Sequence, residues 1–396
     1  MTHGPGPAED TTQTVDLSGW SLPAWTYFDE DFQALERDRI FLPAWHLVCH
    51  VSDIPKRGDY RSFALLGELA IVVRGRDGAI RAFHNVCRHR AARLLDGEAG
   101  NCGARILCPY HAGSFDLDGR LVGVPFIEEY EDFRKDEHGL VPIEHEVFAG
   151  FVYIRFSDAG GRGLAEALAP VAEEMGVYRF AEMAPLGPIR TRLREVNWKN
   201  ASDNYVDGLH IRVAHPGLDS LVGESYRLTV DRGVDKIFAS IDRSSHIGAS
   251  VDAYRRLLPH VDHLPEERRR MWTYWRLWPS LMFDVYPDQI DFMQFIPLSP
   301  TRCILRDGAY ALPDDRREMR LARWLNQRVN RDVNTEDRGL IERVQAGMAS
   351  SSFTTGPLGR NEVCLRNFAE RMRETIPIAR ERQRPSRDRL QAARDA

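Results

Sequence analysis

"NVCRHRAARLLDGEAGNCGARILCPYH", residues 85–111, carries Cys87, His89, Cys108 and His111, with eighteen residues between the Cys-x-His and the Cys-x-x-His. Two thiols and two imidazoles in pairs have the donor chemistry of a metal site. The sequence around them reads as short strands joined by tight turns. "ELAIVVRGRDGAIRAFHNVC" (68–87) is strand, Asp77-Gly78 turn, strand. "GSFDLDGRLVG" (113–123) repeats this around Asp118-Gly119, and "HEVFAGFVYIRF" (145–156) closes the segment as another strand pair. Residues 45–156 are therefore expected to form a small antiparallel β-domain, with each half of the Cys/His pattern at a hairpin tip.

The chain has 396 residues, enough for two or three domains. A net charge of -5 argues against a general affinity for nucleic acid or an anionic membrane surface. No apolar run approaches the length of a membrane span. The opening "MTHGPGPAEDTTQT" (1–14) is polar, lacks the apolar centre of a secretory leader, and reads as a disordered lead-in. Six cysteines in a chain this long do not make a disulfide scaffold, so a reducing cytoplasm is the expected location.

Within 1–44, Trp20, Trp25, Phe28, Phe32, Leu35 and Phe41 fall at roughly helical intervals, and the segment is expected to pack on the C-terminal half. "SDAGGRG" (157–163) marks a boundary; it lacks the strand–turn–helix setting of a phosphate loop. Beyond it the pattern predicts helices near 164–180, 199–211, 316–347 and 360–375, and strands near 226–242 and 281–310. The tail from Arg380 is charged and expected to fray. The fold class is α+β: the small β-domain, then a larger domain (157–396) with an antiparallel sheet surrounded by helices.

Two metals suit the first site. A tetrahedral zinc takes a Cys2His2 set. So does a Rieske [2Fe–2S] cluster, with both thiolates on one iron and both imidazoles on the other. Zinc fingers usually pair Cys with Cys and His with His along the chain. Here each half brings one of each, as two loops gripping a two-iron cluster would. "NVCRHRAARL" and "CPYHAGSFDLDGRL" closely resemble the Rieske domain of the ring-hydroxylating oxygenases, whose pattern is N-x-C-x-H-R followed by C-P-Y-H and a later glycine. Two positions depart from it: Ala91 stands where glycine is usual, and Ala112-Gly113 stand where the family has Gly-Trp. Cys102, between the halves, and the isolated Cys49, Cys303 and Cys364 read as unligated thiols.

A second set lies in "NWKNASDNYVDGLHIRVAH" (197–215). Asp207 and His210, three apart, share a face of a helix, whereas His210 and His215, five apart, diverge on one. The helix is expected to break after His210, with Pro216 marking where it cannot continue, so that the imidazoles converge. Two histidines plus a carboxylate with open positions form the facial triad of non-haem Fe(II) oxygenases. Asp207 is the local candidate for that carboxylate. Asn197, Trp198, Lys199, Asn204, His210 and His215 resemble a second motif of the same family. That resemblance implies Asp337, in "NTEDRGLIERVQAGM" (334–348), as third iron ligand. Asp207 then matches the carboxylate that links an iron-bound histidine to a cluster histidine of the neighbouring subunit, with Asn204 beside it as a further catalytic candidate.

Taken together, the resemblance implies the terminal oxygenase of a Rieske non-haem iron system. It implies a [2Fe–2S] cluster, a mononuclear Fe(II), O2 as co-substrate and a head-to-tail homotrimer. No flavin or nicotinamide motif is visible, so electrons from NAD(P)H are expected through a separate reductase or a ferredoxin. The substrate signal is the aromatic run of residues 271–300, with Trp272, Tyr274, Trp275, Trp278, Phe283, Tyr286, Phe292 and Phe295. Most of these read as sheet core. A few lining a cavity would suit a flat aromatic ring, the class favoured here, or a quaternary ammonium held by cation–π contacts. The pattern of residues 336–348 and "GRNE" (359–362) resembles oxygenases of choline-, carnitine- or betaine-like compounds, and is seen equally among enzymes of aromatic ring hydroxylation. Arg276, Arg302 and Arg306 could meet a substrate carboxylate but read first as surface ion-pairing residues, and His246, His260 and His263 read as solvated.

Overall fold

The computed structural model describes residues 17–158, 161–241 and 248–395. The polar lead-in of residues 1–14, part of the 157–163 boundary and His246 lie outside the described residues. Among the described residues no helix is long and apolar enough to cross a membrane.

Three small antiparallel sheets build the N-terminal part. One orders Ile80–His84, Glu68–Arg74, Asp59–Leu65 and Ala99–Asn101; a second orders Arg105–Leu107, Ser114–Asp116 and Leu121–Gly123. In the third, Phe151–Arg155 lies between His46–His50 and Glu144–Phe148. The turns fall at Asp77-Gly78 and Asp118-Gly119, where Gly78 and Gly119 hold φ of 80° and 90°. At Gly119 a Cβ would stand 2.5 Å from the Phe83 ring, so the turn needs glycine for space as well as for φ. Ile71, Val73, Phe83, Ile106, Phe115 and Leu117 form an apolar core beneath the Cys/His loops.

The C-terminal part is an antiparallel sheet. From one edge it runs Ala184–Pro185, Arg302–Ala311, Ile290–Ser299, Leu281–Val285, Met271–Leu277, Val234–Ser240 and Arg227–Asp231; Arg190–Arg194 also pairs with Arg302–Ala311. The aromatic run supplies its centre: Trp272, Trp275, Phe283, Tyr286 and Phe292 are buried core residues. The predicted long helices are present as Arg317–Met348 and Val363–Thr375.

Two expectations need correction. The C-terminal tail does not fray: Arg387–Asp395 is a helix with Leu390 buried. Its basic residues meet the acids of the N-terminal segment, Arg384 with Asp29 and Asp31, and Arg394 with Asp38. Arg276 and Arg306 are not at the surface either. Arg306 donates to the carbonyls of Leu47 and Val48 in the N-terminal part. Arg276 pairs with Asp235 at 2.6 Å and Asp203 at 3.1 Å, and donates to the Cys364 carbonyl. Of the three, Arg302 is at the surface, paired with Glu195 at 3.2 Å.

A buried charge that loses its partner is expensive. Arg276→Met leaves Asp235, 2 % exposed, without its cation, and is expected to destabilise the C-terminal domain by about 3–5 kcal/mol. Thermal unfolding followed by calorimetry measures this.

Candidate metal centres

The two Cys/His loops are built alike. In the first, the Cys87 N–H donates to the Ala92 carbonyl and the Ala91 N–H to the Cys87 carbonyl, at 2.8 and 3.1 Å. In the second, Cys108 donates to Gly113 and Ala112 to Cys108 at the same distances. Each loop closes through a left-handed residue, Ala91 at φ 57° and Ala112 at φ 56°. These are the two positions where the sequence has alanine in place of the family's glycine, and the backbone gives the reason glycine is usual there. No heavy atom lies within 4 Å of where a Cβ on Gly113 would sit, so the space beside the family's tryptophan position is open.

Left-handed alanine costs about 1–2 kcal/mol, and glycine regains part of that while costing about 0.4–1 kcal/mol in unfolded-chain entropy. Ala91→Gly and Ala112→Gly are each expected to stabilise the β-domain by roughly 0.5–1 kcal/mol, read as a raised thermal midpoint.

The donors divide two and two. Cys87 and Cys108 are buried in the domain core, with their thiols facing each other. Burial, reinforced by Cys108, pushes the Cys87 thiol up. His89 and His111 are exposed at the tip, with ring centroids 4.9 Å apart. No three of the four ligand atoms lie within 4.8 Å of one another. A tetrahedral zinc, with bonds of about 2.0–2.3 Å, holds its ligand atoms about 3.3–3.8 Å apart. Sulfurs inside and imidazoles outside fit a two-iron cluster instead. Cys102 stays apart, its thiol on the Gly58 carbonyl at 3.3 Å, and Cys49, Cys303 and Cys364 are buried core residues.

The second centre gathers at the end of the helix Trp198–Val206. Asn197 caps that helix, and Lys199 is buried against Glu36 and the Thr26 carbonyl. The Asn-Trp-Lys motif thus anchors the N-terminal segment to this helix, and its role here is structural. The helix ends at Val206, before His210 and earlier than expected, because the Asp207 carboxylate turns to accept the Leu209 N–H at 2.8 Å. Ile211–Ala214 is a single helical turn, and Pro216 opens the next helix. The chain therefore doubles back and the imidazoles converge, with His210 Nε2 3.1 Å from His215 Nε2.

The long helix Arg317–Met348 presents Asp337 from the other side. Its Oδ1 lies 2.9 Å from His215 Nε2 and 3.5 Å from His210 Nε2. Among the described residues, His210, His215 and Asp337 are the one set of three such side chains whose ligand atoms lie within 4.8 Å of one another. Burial opposes the Asp337 charge, but hydrogen bonds from His210, His215 and Asn204 outweigh it and hold the carboxyl down at about 2. Asp207 stands outside this set, with its Oδ2 3.2 Å from the far nitrogen of His210.

Sequence reasoning missed Glu336. Its Oε2 sits 2.7 Å from His215 Nδ1 and fixes that ring, while Asp207 faces the matching nitrogen of His210 at 3.2 Å. The signal was available, since Glu336 directly precedes Asp337. Glu336→Gln is expected to weaken iron retention about tenfold without disturbing the cluster, measured by competition with a chelator.

A cavity opens beside Asp337, lined by Asn204, Tyr205, Met293, Phe295, Arg194 and Arg338 among others. Of the eight aromatics singled out in the sequence, Phe295 lines it; Tyr205 comes from elsewhere. His260 is exposed beside Asp262, and His263 is exposed.

Comparison with known proteins gives the family. Residues 44–134 match the family model of the Rieske [2Fe-2S] domain, and residues 177–378 that of the ring hydroxylating alpha subunit (catalytic domain). The carnitine monooxygenase oxygenase subunit of Escherichia coli (strain K12) is 31% identical over 352 residues, 84% of this chain and 86% of that protein. The chloroplastic choline monooxygenase of Arabidopsis thaliana is 29% identical over 361 residues, 87% of this chain and 80% of that protein. In fold, the chain resembles a quaternary ammonium Rieske monooxygenase solved with L-carnitine, with TM-score 0.74, 24% identity, and 91% and 97% of the two chains covered. It also resembles naphthalene 1,2-dioxygenase from Rhodococcus sp., with TM-score 0.72, 19% identity, and 90% and 94% covered. The chain belongs to the ring-hydroxylating Rieske oxygenase alpha subunits, iron-dependent oxidoreductases with a [2Fe–2S] domain and a mononuclear-iron catalytic domain.

Proposed function

We propose that this chain is the oxygenase component of a system that uses O2 to oxidise a quaternary ammonium compound. Cys87, His89, Cys108 and His111 hold the cluster, and His210, His215 and Asp337 hold the iron. The observation that carries this reading is the convergence of two imidazoles and one carboxylate, with a cavity against the carboxylate. When bound, the metals supply electron transfer and O2 activation. The chain's own residues position and select. Asp207 and Glu336 orient the two imidazoles, Asn204 holds Asp337, and Tyr205 and Phe295 offer ring faces to a cation.

Of the two substrate classes open from the sequence, relatives spanning most of the chain favour the ammonium class. Electrons come from a separate NAD(P)H-dependent reductase. Assembly is a head-to-tail homotrimer in which Asp207 meets a cluster histidine of the next copy. Exposed apolar side chains support it: Leu107 and Tyr110, in the chain beside Cys108 and His111, and Leu209 and Val213, in the chain on either side of His210.

The test is O2 uptake by the iron-loaded protein with a reductase and NADH, in the presence of L-carnitine, glycine betaine or choline. The expected result is uptake stimulated by an ammonium compound, with product formed in proportion. Stimulation by aromatic hydrocarbons alone would contradict the substrate assignment.

A further inference from the structure

Arg190, Arg192 and Arg194 alternate along the strand Arg190–Arg194, so they share one face. That face meets Arg338 of the long helix at two adjoining cavities, one of them beside Asp337. Asp307 takes the first two arginines, at 3.3 Å from Arg190 and 2.7 Å from Arg192. Arg194 and Arg338 remain. Among the described residues neither has an ion-pair partner, although both line the cavity that holds Asp337. Arg194 donates only to the Leu193 carbonyl, at 3.3 Å. Glu195 is turned to Arg302, and Glu342, one turn beyond Arg338, pairs with neither arginine. Burial, and then the charges of Arg338 and Arg192, push the Arg194 guanidinium down against a weaker pull from Cys303 and Asp307.

Arg194 is half-buried and Arg338 is exposed at the rim of this cavity, and neither pairs with the carboxylates that also line it, Asp337, Glu195 and Glu342. An anion that enters gains charge-assisted hydrogen bonds, and the planar fork of arginine suits a carboxylate. We infer that Arg194 and Arg338 read an anionic group of the substrate, so that the compound oxidised carries a carboxylate, or a similar planar anion, besides the carbon that reaches the iron. Rings and anion sites then divide the cavity: Tyr205 and Phe295 face the apolar or cationic part, and the arginines face the acid. A zwitterion fits this division; a simple cation such as choline leaves both arginines unanswered. The inference rests on the oxygenase reading of this cavity and deepens it.

The test is titration calorimetry on the assembled, iron-loaded protein without O2, using acids matched with neutral or cationic counterparts. The pairs are glycine betaine with choline, L-carnitine with its methyl ester, and benzoate with benzamide. The expected result is that the acid of at least one pair binds roughly tenfold or more tighter than its counterpart. Arg338→Met and Arg194→Met should each lose about tenfold of that acid's affinity and leave the counterpart unchanged, while Arg338→Lys keeps part of it. Far-ultraviolet circular dichroism and retention of the mononuclear iron check that the catalytic domain of each variant folds; where a Met variant fails that check, Arg194→Lys and Arg338→Lys carry the comparison. Equal binding of both members, no binding by any acid, or acid affinity untouched by the substitutions would overturn the inference. Failure of the oxygenase reading would be seen separately, as absent iron and sulfide in the same preparation.

Discussion

Asp337→Ala is expected to lose the mononuclear iron, with affinity falling beyond the 10–100-fold typical of residues that only orient ligands, while the cluster spectrum stays unchanged. The reason is geometric. Asp337 is the carboxylate that reaches both His210 and His215, and its removal leaves two imidazoles and no anionic donor. Asp207→Ala should behave differently. Asp207 reaches the outer nitrogen of His210 but is not part of the converging set. That variant is expected to keep its iron, at most about tenfold weakened, and to lose transfer of electrons from the cluster. Iron content, and cluster reoxidation by O2 in a single turnover, separate the two. If Asp207→Ala lost the iron and Asp337→Ala kept it, the ligand assignment would be reversed.

Cys108→Ser is expected to abolish the cluster and all turnover, because a serine hydroxyl is a far poorer donor to iron than a thiolate. Iron should fall from about three to about one per chain, with acid-labile sulfide near zero. The fold should survive. Cys108 rests on an apolar core that includes Ile106, Phe115 and Leu117, so the metal is not the only thing holding these strands together. Far-ultraviolet circular dichroism should therefore match the parent, and the catalytic domain should still bind its single iron.

Much of this was legible in the sequence because the informative features are local. Asp77-Gly78 and Asp118-Gly119 declare turns by residue type alone. The Cys/His halves announce themselves by spacing. His210 and His215 required only a break in the helix, and Pro216 supplied one, although the break begins earlier, where Asp207 caps the chain after Val206.

What escaped was set by partners distant in the chain. Arg276 and Arg306 were read as surface residues because charged side chains usually are. Asp235 lies 41 residues from Arg276, and the carbonyls that accept from Arg306 are more than 250 residues away. The charged tail looked free because nothing nearby could pair with it; its partners are acids at the other end of the chain. Asp337 came from the resemblance, since the residues around it give no local sign of a ligand. The alternation of Arg190, Arg192 and Arg194 was visible as one face of a strand, but only the fold brings Arg338 to that face and spends Asp307 on the first two.

The central claim is one cluster and one separate iron in each chain. It is tested most directly by measuring iron, zinc and acid-labile sulfide per chain on protein purified without oxygen, together with the absorption spectrum. The account predicts about three irons and two sulfides, with a Rieske spectrum. One zinc and no sulfide would make Cys87, His89, Cys108 and His111 a structural clip and would contradict the account.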